Sequence, residues 1–171
     1  MSFASARYDF TDKAGDYQRL ALELAALLRG ERNLIANAAN TCALIFEVLP
    51  EVNWAGFYFL DGGELVVGPF QGKAACVRIA LGRGVCGTAA AERRTLIVPD
   101  VHEFAGHIPC DTASRSEIVV PLLSGATLLG VLDVDSPRPG RFDAVDGTGL
   151  ERLAALFVAA SHPAARPPQS G

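Results

Sequence analysis

Between residues 54 and 135, most of the chain is cut into apolar runs of four to nine residues, each closed by turn-forming residues. Runs of that length are strands rather than helices. Residues 54–60, rich in aromatics, meet Asp61-Gly62-Gly63 and return as 64–68. Residues 117–123 and 127–135 are joined in the same way around Ser124-Gly125-Ala126. Hairpin-length links put neighbouring strands antiparallel. Two shorter strands are predicted at 77–80 and 95–98, which makes about six.

The flanks have a different period. Tyr17, Leu20, Leu24, Leu27 and Leu28 form a helical stripe over 14–29 that Gly30 can close. A second stripe, Leu34, Ala38, Cys42, Ile45 and Leu49, runs to Pro50. Residues 85–92 suit a short helix, and Val145, Leu150, Leu153, Leu156 and Phe157 mark a closing helix over 143–160. The expected class is α+β, a central antiparallel sheet with helices packed on it. One domain over residues 1–161 is expected, followed by a Pro-rich tail, 162–171, with too little apolar surface to order itself.

Half of the 171 residues are hydrophobic, so a core can form without disulfide staples. The net charge of −4, with no Lys/Arg-rich run, argues against a nucleic-acid partner. No apolar run approaches the roughly 18 residues of a membrane span. Residues 1–7 lack the apolar region of a secretory signal, so a cytoplasmic location is expected. In that compartment clustered thiols are more often reactive or metal-binding than structural.

Three of the four cysteines, Cys76, Cys86 and Cys110, fall within 35 residues, among Gly, Pro and polar groups. Cys86 follows Gly84 at an expected helix N-terminus, where backbone N–H groups and the helix dipole favour a thiolate. Cys110 lies in an aperiodic stretch, 100–116, with His107 before it and Arg115 after it, either able to stabilise its thiolate. Cys76 opens a strand and could reach a neighbouring loop. The plainer alternative is that each is a small buried residue, which is the reading for Cys42 in its helical stripe. Cys76, Cys86, His102, His107 and Cys110 include the ligand types of a zinc site, but no Cys-x-x-Cys knuckle occurs, and no metal is expected.

Asp133 and Asp135 are two apart on a strand and share a face, with Leu132 and Val134 turned to the core. Paired carboxylates suit a cation such as an ammonium group; solvated strand-end residues are the plainer alternative. Register decides whether Glu117 joins them. A two- or four-residue loop sets Glu117 opposite Val134, on the wrong face; a three-residue loop, or a bulge to the same effect, sets it opposite Asp135. The second arrangement is expected. Trp54 and Tyr58, four apart, share a face and could wall a pocket for a sulfur-containing chain.

Taken together, Asn53-Trp54-Ala55-Gly56-Phe57-Tyr58, Gly68-Pro69-Phe70-Gln71-Gly72-Lys73, Ala75-Cys76-Val77-Arg78-Ile79, Gly82-Arg83-Gly84-Val85-Cys86-Gly87-Thr88, Asp100-Val101-His102, Gly106-His107-Ile108, Cys110-Asp111, Ser116-Glu117-Ile118-Val119 and Gly130-Val131-Leu132-Asp133-Val134-Asp135-Ser136 resemble the free methionine-(R)-sulfoxide reductases, built on a GAF domain. The segments span roughly residues 50–145 in order. Pro109 stands where the family pattern has a small residue.

The resemblance implies a GAF-like fold and thiol-dependent reduction of free methionine-(R)-sulfoxide. Cys110 would attack the sulfoxide sulfur, with Glu117, Asp133 or Asp135 protonating the departing oxygen. Cys76 would resolve the resulting sulfenic acid as a disulfide, with Cys86 an alternative resolving thiol. Trp54, Tyr58 and the three acids would hold the substrate. The resemblance implies no bound cofactor. Thioredoxin would return the disulfide to the dithiol, drawing on NADPH indirectly, and a homodimer is compatible. The rival function is a GAF sensory module that binds a ligand or senses redox state without turnover.

Overall fold

The computed structural model describes residues 8–104, 106 and 113–161. His107, Cys110 and the tail 162–171 lie outside the described residues. The chain opens with two helices, α1 (Lys13–Leu27) and α2 (Leu34–Val48). Each has a side-chain N-cap: Asp12 accepts from Gly15 N and Asn33 from Ala36 N. Strands β1 (Trp54–Asp61), β2 (Glu64–Gly72) and β3 (Arg78–Ala80) follow, then α3 (Gly84–Glu92) and β4 (Leu96–Val98). A single 3-10 turn, Val101–Glu103, precedes β5 (Ser116–Ser124), β6 (Thr127–Ser136) and α4 (Ala144–Ser161).

The strands form one six-stranded sheet in the order β3-β2-β1-β6-β5-β4, antiparallel throughout. The alternation of side chains gives it two different faces. Ala55 and Phe57 of β1, Ile118, Val120 and Leu122 of β5, and Leu132 and Val134 of β6 join the core against α1, α2 and α4. Trp54, Tyr58, Val119 and Val131 turn the other way, toward α3, Leu65 and Ile79. The carboxylates of β5 and β6 fall on this second face, which among the described residues is covered by α3 and by loops.

Two boundaries differ from the expectation. β3 begins at Arg78, so Cys76 precedes the strand. β2 runs on past Gly68 and Pro69 to Gly72, where a stop was expected. β3 pairs with Glu64, Leu65 and Val66, and Val67 N donates to the Val77 carbonyl at 3.0 Å, so among the described residues β2 is an edge on that side from Gly68 onward. An edge position has no ladder partner for a missing N–H, and proline is tolerated there. The β1–β2 register also shifts between Gly56 and Tyr58. β1 keeps a regular register with β6, so the extra residue belongs to β2, beside Pro69.

The helical layer is tied by a buried ion cluster. The Asp146 carboxylate, at the start of α4, accepts from Lys13 Nζ at 2.6 Å, from Tyr17 Oη at 3.0 Å and from Arg141 Nη1 at 3.1 Å. Asp146 is completely buried. The phenol of Tyr17 is raised far above its ordinary range by burial and then by the Asp146 charge, so it stays a donor.

Candidate active site

The site is a cavity of about 560 Å³, counted to its open mouth, on the α3 face of the sheet. Its floor is a row across three strands. Trp54 of β1 lies opposite Asp135 of β6, and Asp135 lies opposite Glu117 of β5. Asp133 stands one step along the same face, opposite Gly56 and Val119.

Glu117 reaches that row through a bulge. The turn at Gly125-Ala126 has two residues and pairs Ser124 with Thr127 and Leu123 with Leu128. Continued unchanged, this register would set Glu117 opposite Val134. The next pair is instead Leu122 with Gly130, so Leu129 is an extra residue in β6 and Glu117 comes opposite Asp135. Gly130 makes the irregularity possible. Its φ is +153°, and a Cβ there would stand 2.0 Å from the Tyr58 carbonyl oxygen.

The aromatic wall also depends on a glycine, one the sequence reading did not single out. A Cβ on Gly56 would meet the Trp54 ring at 2.4 Å. Without it, the indole lies flat over the strand, 5.9 Å from the Tyr58 ring and 5.3 Å from that of Phe70. The indole Nε1–H donates to the Lys73 carbonyl at 3.0 Å, which fixes the ring's orientation. Phe70 and the Lys73 carbonyl were likewise not anticipated. The available signal was a glycine in the middle of an aromatic strand, which marks a close approach.

Cys86, the third residue of α3, points down onto the acids. Its Sγ is 3.8 Å from Glu117 Oε1. Cys86, Glu117 and Asp133 are 5%, 6% and 6% exposed, so the reading of Asp133 as a solvated strand-end group is corrected. The expectation of a Cys86 thiolate is corrected as well. Burial pushes its thiol well above the ordinary range, and the Asp133 and Glu117 charges push it further. A helix N-terminus is worth up to about 2 kcal/mol. Burying an ion costs several kcal/mol before like charges are added, so desolvation wins.

The acids are perturbed in the same direction. Burial, followed by the Asp133 and Asp135 charges, holds the Glu117 carboxyl well above the carboxylate range. Burial raises Asp133 to about 7. Near neutral pH such a pocket can both hold a cation and give up a proton.

The other candidates separate. Cys42 is fully buried and its thiol, raised to about 12, donates to the Pro69 carbonyl at 3.1 Å, as befits a core residue. Cys76 is disulfide-bonded, and Cys42 and Cys86 are free. A thiolate from Cys76 is therefore unavailable to the considered zinc set, and His102 lies on the exposed side of the 3-10 turn. Arg115, considered as a partner for a loop thiolate, is 2.6 Å from Asp100 instead. At the rim, Ser114 lines the cavity and its hydroxyl accepts from Asn53 Nδ2 at 3.1 Å. Among the described residues, no helix is long and apolar enough to cross a membrane.

An antiparallel sheet with three helices on one face and an acid-floored pocket on the other is the arrangement of a GAF domain, and residues 36–160 match the GAF domain family model. The chain is 52% identical to the free methionine-R-sulfoxide reductase of Escherichia coli over 144 residues, 84% of this chain and 87% of that one. It superimposes with a TM-score of 0.86 on the X-ray structure of free methionine-R-sulfoxide reductase from Neisseria meningitidis in complex with its substrate, at 41% identity, covering 91% of this chain and 94% of that one. A crystal structure described as a putative GAF sensor protein from Burkholderia vietnamiensis has a TM-score of 0.85 at 60% identity, covering 87% and 95%. Within the GAF proteins, this chain belongs to the free methionine-R-sulfoxide reductase family.

Proposed function

We propose that this protein reduces free L-methionine-(R)-S-oxide to L-methionine, using Cys110 as nucleophile and thioredoxin as reductant. The observation that carries the reading is the convergence of Glu117, Asp133 and Asp135 beneath the Trp54 and Tyr58 rings. The acids take the substrate ammonium and the rings take its thioether-like chain. A peptide nitrogen carries no such charge, so the site selects the free amino acid.

The redox residues have chain-length support. Cys76 is one residue past Ala75, which lines the cavity, and Cys110 is four before Ser114, which also lines it. Four residues span at most about 14 Å. Attack by the Cys110 thiolate on the sulfoxide sulfur, with a proton from Glu117 to the oxygen, gives methionine and a sulfenic acid on Cys110. The Cys76 thiol then displaces that hydroxyl as water and forms a disulfide. The disulfide at Cys76 fits the product of this step, and we assign its partner as Cys110. Thioredoxin takes up the oxidising equivalents, restoring both thiols. Cys86, with its thiol held neutral against Glu117, is a secondary resolving thiol.

The test is NADPH oxidation in the presence of thioredoxin, thioredoxin reductase and each sulfoxide epimer. Turnover is expected with the free R form. Cys110→Ser abolishes even the first turnover, whereas Cys76→Ser releases one equivalent of methionine and stalls. Normal single-turnover release by Cys110→Ser overturns the assignment of the nucleophile. Tight binding of the sulfoxide without any methionine release would favour the sensory module.

A further inference from the structure

Three donor atoms of different softness meet at the floor of the pocket. Cys86 Sγ and one carboxylate oxygen each from Glu117 and Asp133 lie within 4.8 Å of one another. The 3.8 Å from Cys86 Sγ to Glu117 Oε1 is close to one edge of a tetrahedral metal site. With metal–sulfur and metal–oxygen bonds of about 2.3 and 2.1 Å, that edge is about 3.6 Å. A second observation is independent of this clustering. Asp133 is 6% exposed, faces the cavity, and its Oδ1 has no hydrogen-bond partner. A buried acceptor left without a partner is costly and calls for an occupant. An ammonium group would satisfy the oxygen but gains little from a thiol. One sulfur with two carboxylates suits a borderline-soft dication.

We propose that Cys86, Glu117 and Asp133 form a binding site for a thiophilic divalent cation of the Zn²⁺ class. The cation bonds to the sulfur as the thiol proton leaves to solvent, the carboxylate oxygens complete three positions, and the fourth faces the cavity. No electron transfer is involved. This site goes beyond the reductase reading and stands without it. One consequence rests on that reading: the cation occupies the carboxylates that hold the substrate ammonium, so it blocks the pocket and is displaced by the amino acid.

The test is titration of the oxidised full-length protein with cobalt(II) chloride, followed by absorbance, then displacement with zinc chloride. With Cys76 in its disulfide and Cys110 assigned above as its partner, Cys86 and the core residue Cys42 are the free cysteines among the described residues, so the sulfur donor can be assigned. A thiolate-to-cobalt charge-transfer band saturating at one equivalent is expected. Cys86→Ser removes the band and Cys42→Ala retains it. Asp133→Asn, which leaves the sulfur in place, weakens cobalt binding by at least about tenfold, a loss that even outer-shell changes can bring. No thiolate band in the unaltered protein, a band that survives Cys86→Ser, or an affinity untouched by Asp133→Asn overturns the proposal. Methionine added to the cobalt complex is expected to bleach the band. A band that persists at saturating methionine supports the cation site but overturns the shared use of the carboxylates.

Discussion

Burying an acid in a pocket sets function against stability, and Asp133 allows the cost to be measured. Burial moves its carboxyl from 3.8 to about 7. The folded state therefore binds this proton more tightly than the unfolded chain does. The stabilisation is full below the unfolded value, is lost as pH rises to about 7, and is constant above that. The whole rise corresponds to roughly 4 kcal/mol at about 1.36 kcal/mol per pH unit. Between pH 5 and 8 the part that falls is roughly 2–3 kcal/mol. Asparagine has nearly the same shape and no proton to lose. Asp133→Asn should therefore gain roughly 2–3 kcal/mol on the unaltered protein between pH 5 and pH 8. In a domain of this size that is a relative gain of about 5–10 °C in Tm. Urea unfolding of both proteins at the two pH values reads the difference directly. Groups remote from the pocket titrate alike in both proteins and cancel, whereas Glu117 and Cys86 lose the push of the Asp133 charge in the variant, which adds to the difference in the same direction. Parallel pH profiles would refute the claim that Asp133 is protonated in the empty pocket.

Other perturbations should separate site from scaffold. Gly130→Ala puts a methyl group 2.0 Å from the Tyr58 carbonyl oxygen, so it should cost about 2–3 kcal/mol by urea unfolding. A change within about 0.5 kcal/mol would contradict the bulge geometry. Asp146→Ala strips the buried Arg141 guanidinium and the half-buried Lys13 ammonium of their shared carboxylate and should cost about 3–5 kcal/mol. Its activity per folded molecule should be unchanged, because Asp146 lies on the opposite side of the sheet from the pocket; a stability loss under about 1 kcal/mol would show that the cluster is better solvated than its burial implies.

Periodicity made most of this fold legible. The helical stripes ending at Gly30 and Pro50, and the hairpins at Asp61-Gly62-Gly63 and Ser124-Gly125-Ala126, are local signals, and the elements they predict are present. The placing of Glu117 on the acid face was legible only as a condition. Loop length counted at Gly125 gives the wrong face unless a residue is inserted, and that residue, Leu129, sits in the partner strand. The sequence reading ends β2 at Gly68, and its continuation through Pro69 to Gly72 along an edge follows only from the sheet order.

Cys86 shows a different limit. Its local surroundings are those of an activated thiol, and the helix does begin at Gly84. What reverses the expectation is burial, together with two carboxylates more than 30 residues away in sequence. Desolvation and through-space charge belong to the tertiary structure and leave no mark near residue 86. Gly56 was visible, but its use, making room for the Trp54 ring, follows only from the position of that ring.

Selection for a free amine is the central claim, and acetylating the substrate nitrogen tests it most directly. Rates of reduction of free methionine-(R)-sulfoxide and of its N-acetyl derivative are to be compared under identical thioredoxin-coupled conditions. Loss of the charged partner from buried acids at roughly 3–5 kcal/mol predicts a fall in kcat/KM of between about a hundredfold and a few thousandfold. Equal kcat/KM for the two compounds would contradict it.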